Sequence, residues 1–484
     1  MLVDRNSELI RQAEETVAAY RDIVNQDKYR LHFHLMPPVG LLNDPNGFIQ
    51  WKGKYHLFYQ WNPFKTGHGA KFWGHYSSSN LVDWQEEKIA LAPSEWFDKN
   101  GCYSGSAVDD GGVLKLLYTG NVKDGAGNRE TYQCLAESLN GIDFHKKGVV
   151  LRLPEGYTAH FRDPKVWEHD GKWFMVIGAQ SEKLEGRAVL FTSNNLEEWT
   201  LIGDVAGTNK NGLENFGYMW ECPDLFSLGD KDILLVSPQG LKCEGMQFQN
   251  VYNTGYFIGK LDYKTGTLDH GDFTELDRGF EFYAPQTTID TKGRRLVIGW
   301  MGVPEQEEDK HPTIAHHWIH AMTLPRELVL KNGHIYQQPI KELQELRKNE
   351  VLIEGIKIET EELQISQLEG STYELQMHVT ELETSLLEIS LKDSVRLTYN
   401  RKDQVFTLER ISLSTGKPEV RQCQLSKLNK LQVFVDTSAI EIFINDGQEV
   451  FTARIFPEVE NKKISLKAAD GHVKCSLQKW DLIK

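Results

Sequence analysis

Residues 173–178 read WFMVIG, five apolar side chains closed by a glycine, and the same shape recurs along the chain. It returns as YHLFYQ from Tyr55, LKLLYTG from Leu114, ILLVSP from Ile233 and LVIGWMG from Leu296, so successive starts lie 59, 59, 60 and 63 residues apart. A second marker keeps the rhythm more loosely: SSNLVDW ends at Trp84, SLNGIDF at Phe144 and SNNLEEW at Trp199. Short apolar runs between Gly, Asn-Gly and Asp-Gly turns read as β-strands. A unit of about sixty residues holding about four such strands is what a β-propeller with long loops produces. A generic β protein with chance spacing is the competing explanation.

Ten to thirteen residues ahead of each run lies another evenly stepped segment: LLNDPNG around Asp44, YSGSAV around Ser104, FRDPKV around Asp163, MWECPDLF around Glu221 and FYAPQT around Tyr283. Equivalent strands of successive blades stand side by side around a propeller axis, so residues at one repeat phase converge. Three of these five are carboxylic acids. Taken alone, DPNG is an excellent type I turn and RDP a turn with a surface ion pair. Glu221 interrupts an apolar run, where a carboxylate is either exposed by strand alternation or buried at a cost. Carboxylates around an aromatic-lined pocket suit glycosidic bond cleavage, in which a nucleophile and a proton donor need separated pKa values. Glu221, in the more apolar setting, is expected to have the raised pKa and give the proton. Asp44, beside Asn43 and Asn46, is expected to stay ionised and attack. Arg162 is expected to hold its neighbour Asp163 ionised for hydrogen bonds to sugar hydroxyls. Gln60, Trp73, Ser104 and Trp300 supply the amide, hydroxyl and aromatic faces that sugars need.

The rest of the chain has other textures. Apolar positions at Leu9, Ile10, Ala13, Val17, Tyr20 and Ile23 recur with helical spacing. After about residue 325, PIKELQELRKNE offers a helix-like linker, and from Val351 period-2 alternation marks a sandwich-type β domain. Asn445-Asp446-Gly447 there is a strong hairpin turn. The expected organisation is a helix over 1–30, the propeller over 31–335, a linker over 336–350 and the sandwich over 351–484: an all-β chain with one short N-terminal helix.

The 484 residues carry 69 acidic against 54 basic side chains, a net charge of −15 that argues against nucleic-acid and anionic-membrane partners. Six scattered cysteines, none in a Cys-x-x-Cys pair, exclude a disulfide framework and a cysteine-rich zinc module. No apolar run approaches the roughly 20 residues of a membrane span. The opening MLVDRNSELIRQAEETV places acids among its apolar positions, unlike a signal peptide, so the expected location is cytoplasmic.

HLMPPVGLLNDPNG, FRDPKV and MWECPDLF together resemble the signature motifs of the β-fructofuranosidases, glycoside hydrolase family 32, and AIEIFINDGQEVFTARIFP resembles that family's sandwich. The resemblance implies a five-bladed β-propeller followed by a β-sandwich. It implies Asp44 as nucleophile, Glu221 as acid/base and Asp163 as transition-state stabiliser, with retention of configuration and no cofactor or metal. Leu42, Asn43, Gln60, Trp73, Tyr103, Ser104, Arg162 and Trp300 match positions that family members use around the substrate. FHLMPPVGLLNDPNG, NRETYQCLAES and TLPRELVL look most like the bacterial intracellular branch acting on sucrose 6-phosphate, with sucrose as a second expected substrate. His68 departs from the tryptophan common at its position, and His68 and Lys71 are candidate contacts for a sugar phosphate. A fructan hydrolase, a fructosyltransferase and a non-catalytic sugar-binding propeller are the alternatives, and oligomeric state is left open. His316, His317 and His320 offer an i, i+4 pair but no acidic third ligand at a recognised spacing, so a packed histidine cluster is expected rather than a metal site.

Overall fold

The structure, a computed structural model, describes residues 4–484; the first three residues of the expected N-terminal helix lie outside them. Helix Arg5–Asn25 is capped by Asp4, whose carboxylate accepts the Ser7 N–H at 3.2 Å. It buries Ala13, Val17 and Val24 in the core that it shares with the first blade.

Five antiparallel sheets follow one another along the chain. Their innermost strands are Gly40–Trp51, Cys102–Asp110, Tyr157–His169, Met219–Leu228 and Tyr283–Ile289. Each of these five contacts its neighbours, the last also meeting the first, so the sheets form the blades of a five-bladed propeller. Strand Trp318–Ile319, from the loop inside the fifth blade, pairs in parallel with the first strand through Gly40↔Trp318 and Leu41↔Ile319 and closes the ring. The second repeat marker has a structural basis. Ser78, Ser138 and Ser193 each donate from Oγ to the Asn two residues on, at 3.2, 3.0 and 3.2 Å. Each hydroxyl also caps the N–H of a left-handed residue: Leu81, Gly141 or Leu196. The same turn is thus rebuilt in three blades.

Besides a second break after Asn46 in the first and before Phe161 in the third, each inner strand breaks register with its neighbour at one common phase. The interruptions fall between Leu42 and Pro45, Cys102 and Gly105, Arg162 and Lys165, Glu221 and Asp224, and Tyr283 and Gln286. Four carry a proline, at 45, 164, 223 and 285, which has no N–H for the ladder. The second blade uses Gly105, where a Cβ would meet the Leu117 carbonyl oxygen at 2.0 Å. Bulges of this kind re-aim side chains, and these stand at the phase of the three acids.

The sandwich packs two six-stranded sheets over a core of its own. A 3-10 turn, Lys341–Leu346, enters strand Arg347–Ile358. The hairpin at Asn445-Asp446-Gly447 forms, with left-handed φ at all three residues. The sheet facing the propeller adds Phe434, Phe443 and Val450 to the first-blade core. Buried ions cross this interface: Arg326, paired within the propeller to Asp277 at 3.0 Å, reaches Glu441 of the sandwich at 2.6 Å. His34 lies between Asp436 at 2.8 Å and Glu441 at 3.0 Å. Among the described residues no helix is long and apolar enough to cross a membrane.

Candidate active site

The five phased residues meet at one end of the propeller axis, around a cavity of about 640 Å³. Asp44, Asp163, Glu221 and Tyr283 line it, and Ser104 stands behind Asp44 with its hydroxyl donating to Oδ2 at 2.5 Å. Asn43 donates to Asp44 Oδ1 at 3.1 Å and Gln60 to Oδ2 at 3.3 Å. Gln60 also donates to the Ser104 hydroxyl. Asp163 has φ +66°, the strained backbone of its bulge, and its Oδ2 accepts the Cys222 N–H at 3.0 Å. The Cys222 thiol reaches both Asp163 and Asp44, at 3.5 and 3.8 Å. Glu221 receives four donations: Arg162 Nε and Nη2 to Oε1 at 2.9 and 2.6 Å, Gln239 and Tyr283 to Oε2 at 2.7 Å each.

The electrostatics run opposite to the sequence expectation. Burial raises the Asp44 pKa, reinforced by the Glu221 charge and opposed by the Ser104 and Asn43 bonds. Burial also raises Asp163, to about 7; Arg162 opposes this, and the Glu221 and Asp44 charges add to it. For Glu221 burial pushes up too, but the Arg162 charge and the bonds from Tyr283, Arg162 and Gln239 hold it below the usual carboxylate range. The correction has a plain cause. Arg162 turns its guanidinium to Glu221 of the next blade, not to its chain neighbour, so the acid in the apolar run is the best solvated of the three by protein donors.

Asn43, Gln60, Tyr103, Arg162 and Trp300 line the cavity as well. Leu42 and Trp73, expected as sugar contacts, lie fully buried outside this lining, and the Trp73 indole donates to the Tyr103 carbonyl at 3.0 Å. His68 is half exposed at the rim, with Nε2 on Glu308 at 3.1 Å. Lys71 is buried in the wall with no hydrogen-bond partner for Nζ. Burial pushes its pKa down to about 7, against the pull of Asp44 and Glu308. Trp300 Nε1 and Asn43 Oδ1 likewise are buried with no partner among the described residues, just behind the surface of the cavity that their residues line. The three histidines disperse: His316 stands 3.7 Å from Asp27, His317 packs against Tyr20 with the rings tilted by 33°, and His320 bonds Glu308 at 3.0 Å. Among the described residues no cluster of three or more ligating side chains suits a metal.

Sequence reasoning gave no role to Tyr283 and missed Gln239. The period held the signal: stepping on from Gln60 by about sixty reaches Thr119, Gln180, Gln239 and Trp300, the inward ends of the second strands.

Two family models match the chain: the glycosyl hydrolases family 32 N-terminal domain over residues 34–339 and the glycosyl hydrolases family 32 C terminal over residues 342–481. A sucrose-6-phosphate hydrolase of Bacillus subtilis (strain 168) is 53% identical, over 99% of each chain. One of Klebsiella pneumoniae is 48% identical over 89% of each. Among solved structures, a sucrose-6-phosphate hydrolase from Lactobacillus gasseri superposes with TM-score 0.88 at 32% identity, covering 97% of this chain and 96% of that one. A mutant β-fructofuranosidase of Bombyx mori in complex with sucrose gives 0.84 at 35% identity, covering 98% of each.

Proposed function

The chain belongs to glycosyl hydrolase family 32, and from that premise we propose a retaining β-fructofuranosidase that cleaves sucrose 6-phosphate, and sucrose, to release fructose. The observation that carries the reading is the meeting of Asp44, Asp163 and Glu221 in one cavity whose wall also holds Asn43, Gln60, Arg162 and Trp300.

In this reading the fructosyl unit lies against Asp44. Its hydroxyls donate to Asp163, which stabilises that carboxylate and shifts the shared proton away from it. Ionised Asp163 and Asp44 then raise Glu221 by repulsion, and Glu221 takes the proton that it must deliver. Glu221 protonates the glycosidic oxygen as an Asp44 oxygen attacks the fructosyl anomeric carbon; the bond from that carbon to the glycosidic oxygen breaks, the other sugar leaves with the proton as its hydroxyl, and a covalent fructosyl-enzyme remains. Glu221, now a carboxylate, removes a proton from water as that water attacks the same carbon. Fructose leaves, and Asp44 is restored.

A cytoplasmic setting belongs to the same proposal, supported by six cysteines that are all free thiols, as a reducing compartment keeps them. The division into a propeller over 31–335 and a sandwich over 351–484 is likewise our reading, supported by the separate sandwich core.

The test is initial rates on sucrose 6-phosphate, sucrose and inulin with one preparation, beside Asp44→Ala and Glu221→Gln. We expect the first two sugars to be preferred and both variants to lose nearly all turnover with native circular dichroism. Near-normal hydrolysis by Asp44→Ala would sink the assignment, and a preference for inulin would replace the substrate.

A further inference from the structure

Of the cations lining the cavity, Arg162 is committed to Glu221 and Lys71 is buried near Asp44. Lys123 and Arg129 are different. They face each other across the end of the hairpin of strands Val113–Lys123 and Arg129–Ser138, in register as a direct pair. Among the described residues neither makes an ion pair with a carboxylate, whereas Arg162 does. The Arg129 guanidinium has the Tyr103 ring at 5.6 Å, and Lys123 uses its backbone N–H to reach Asn100 at 2.7 Å. The acids nearest in sequence are spent elsewhere: Asp124 caps its own turn through Ala126 and Asn128, and Glu130 accepts the Tyr132 hydroxyl at 2.6 Å. Two cationic side chains on the wall of a catalytic cavity, neither held in an ion pair, suit an anion that arrives with the substrate.

Its place on the wall says which end of the substrate. Arg129 lies over the Tyr103 ring and shares the cavity wall with Tyr103, Arg162 and Glu221, so it flanks the proton donor. A proton donor touches the bond's oxygen from the leaving-group side, which puts the departing sugar beside Glu221 and the fructosyl unit over Asp44. His68 and Lys71, the contacts expected from the sequence, face Glu308, a carboxylate that repels a second anion. Building on the fructosidase reading above, we infer that Lys123 and Arg129 form the subsite for a phosphate ester on the leaving sugar, and so set the preference for the phosphorylated disaccharide. The guanidinium fork suits two phosphate oxygens and the ammonium adds a point charge.

The experiment measures kcat/KM for sucrose 6-phosphate and for sucrose on the same preparations of the unmutated protein, Arg129→Gln, Lys123→Gln, the double variant and Arg129→Lys. Loss of folded protein lowers both rates equally, so the ratio reads the subsite alone. The ratio is expected to fall at least about tenfold in Arg129→Gln, the size of one charge-assisted hydrogen bond. It should fall further in the double variant and be partly restored in Arg129→Lys. Inhibition by glucose 6-phosphate should weaken in the same order. A double variant whose ratio stays within about twofold of the unmutated value, against a usual tenfold step, overturns the subsite and leaves the fructosidase intact. An unmutated ratio near one does the same. Failure of the unmutated protein on both sugars overturns the fructosidase reading itself.

Discussion

Arg162 Nη2 lies 2.6 Å from Glu221 Oε1, although its chain neighbour is Asp163. One guanidinium therefore joins the third blade to the fourth and lowers the pKa of Glu221 while burial raises those of Asp44 and Asp163. Its own pKa is raised by the Glu221 and Asp163 charges, which outweigh its burial, so the cation is permanent. Cleavage requires a proton on Glu221 against the pull of Arg162, which makes the pH profile a sensitive probe of the site.

Arg162→Gln removes two of the four donations to Glu221 and the cation that lowers it. The falling alkaline side of the kcat/KM profile should move to higher pH, because Glu221 keeps its proton further up the scale. The profile's height should drop by about 10²-fold or more, as for other losses of oriented electrostatic stabilisation. An alkaline side that does not move would remove Arg162 from the control of Glu221.

Ser104→Ala acts on the other limb. Without the 2.5 Å donation the Asp44 carboxylate is harder to ionise, so the acidic side of the profile should also move to higher pH. Activity in the plateau should fall about tenfold, the worth of one hydrogen bond to a charged group. Thr in place of Ala keeps the hydroxyl and should recover most of both effects.

Asp163 has a folded pKa of about 7 against an unfolded value of 3.8. The folded protein therefore binds the extra proton between those values, and stability is highest below 3.8 and declines as pH rises through 7. Asp163→Asn abolishes that decline. Thermal unfolding should show the variant more stable than the parent above pH 7 and the difference vanishing toward pH 4, while turnover is lost throughout. Parallel curves would contradict the coupling of the three acids.

His34 tests the domain interface. Asp436 and Glu441 outweigh its burial and raise it to about 9, so it is a buried cation holding two carboxylates of the sandwich. Its contribution is full below 6.5 and is lost as pH rises through 9. His34→Gln should cost about 3–5 kcal/mol at neutral pH, as for other broken buried ion pairs, and much less at pH 10. Denaturant melts at the two pH values measure both.

Much of this was legible in the sequence because a propeller turns period into position. Asp44, Ser104, Asp163, Glu221 and Tyr283 share a phase, and the structure gathers all five. The charge states were not legible. Arg162 reads as the partner of Asp163 by adjacency, but the bulge between Arg162 and Lys165 parts their directions, and only the next blade shows where a guanidinium ends. Trp73 reads as a sugar platform by type, yet strand alternation turns it into the core behind Tyr103. Lys123 and Arg129 carry no phase, since they flank a turn that other blades do not repeat, and their meeting depends on hairpin register.

The five register breaks separate two tasks that most enzymes entangle. The ladders on either side of each break hold the blades together; the break itself holds one side chain toward the axis and asks nothing of its identity. Nature, or an engineer, can thus rewrite the five inward letters while the surrounding grammar stays intact. Four of the letters here are acid, hydroxyl, acid and acid, and the fifth is a tyrosine that serves its neighbour. The same frame with other letters would be a different catalyst, or a receptor, on an unchanged chassis.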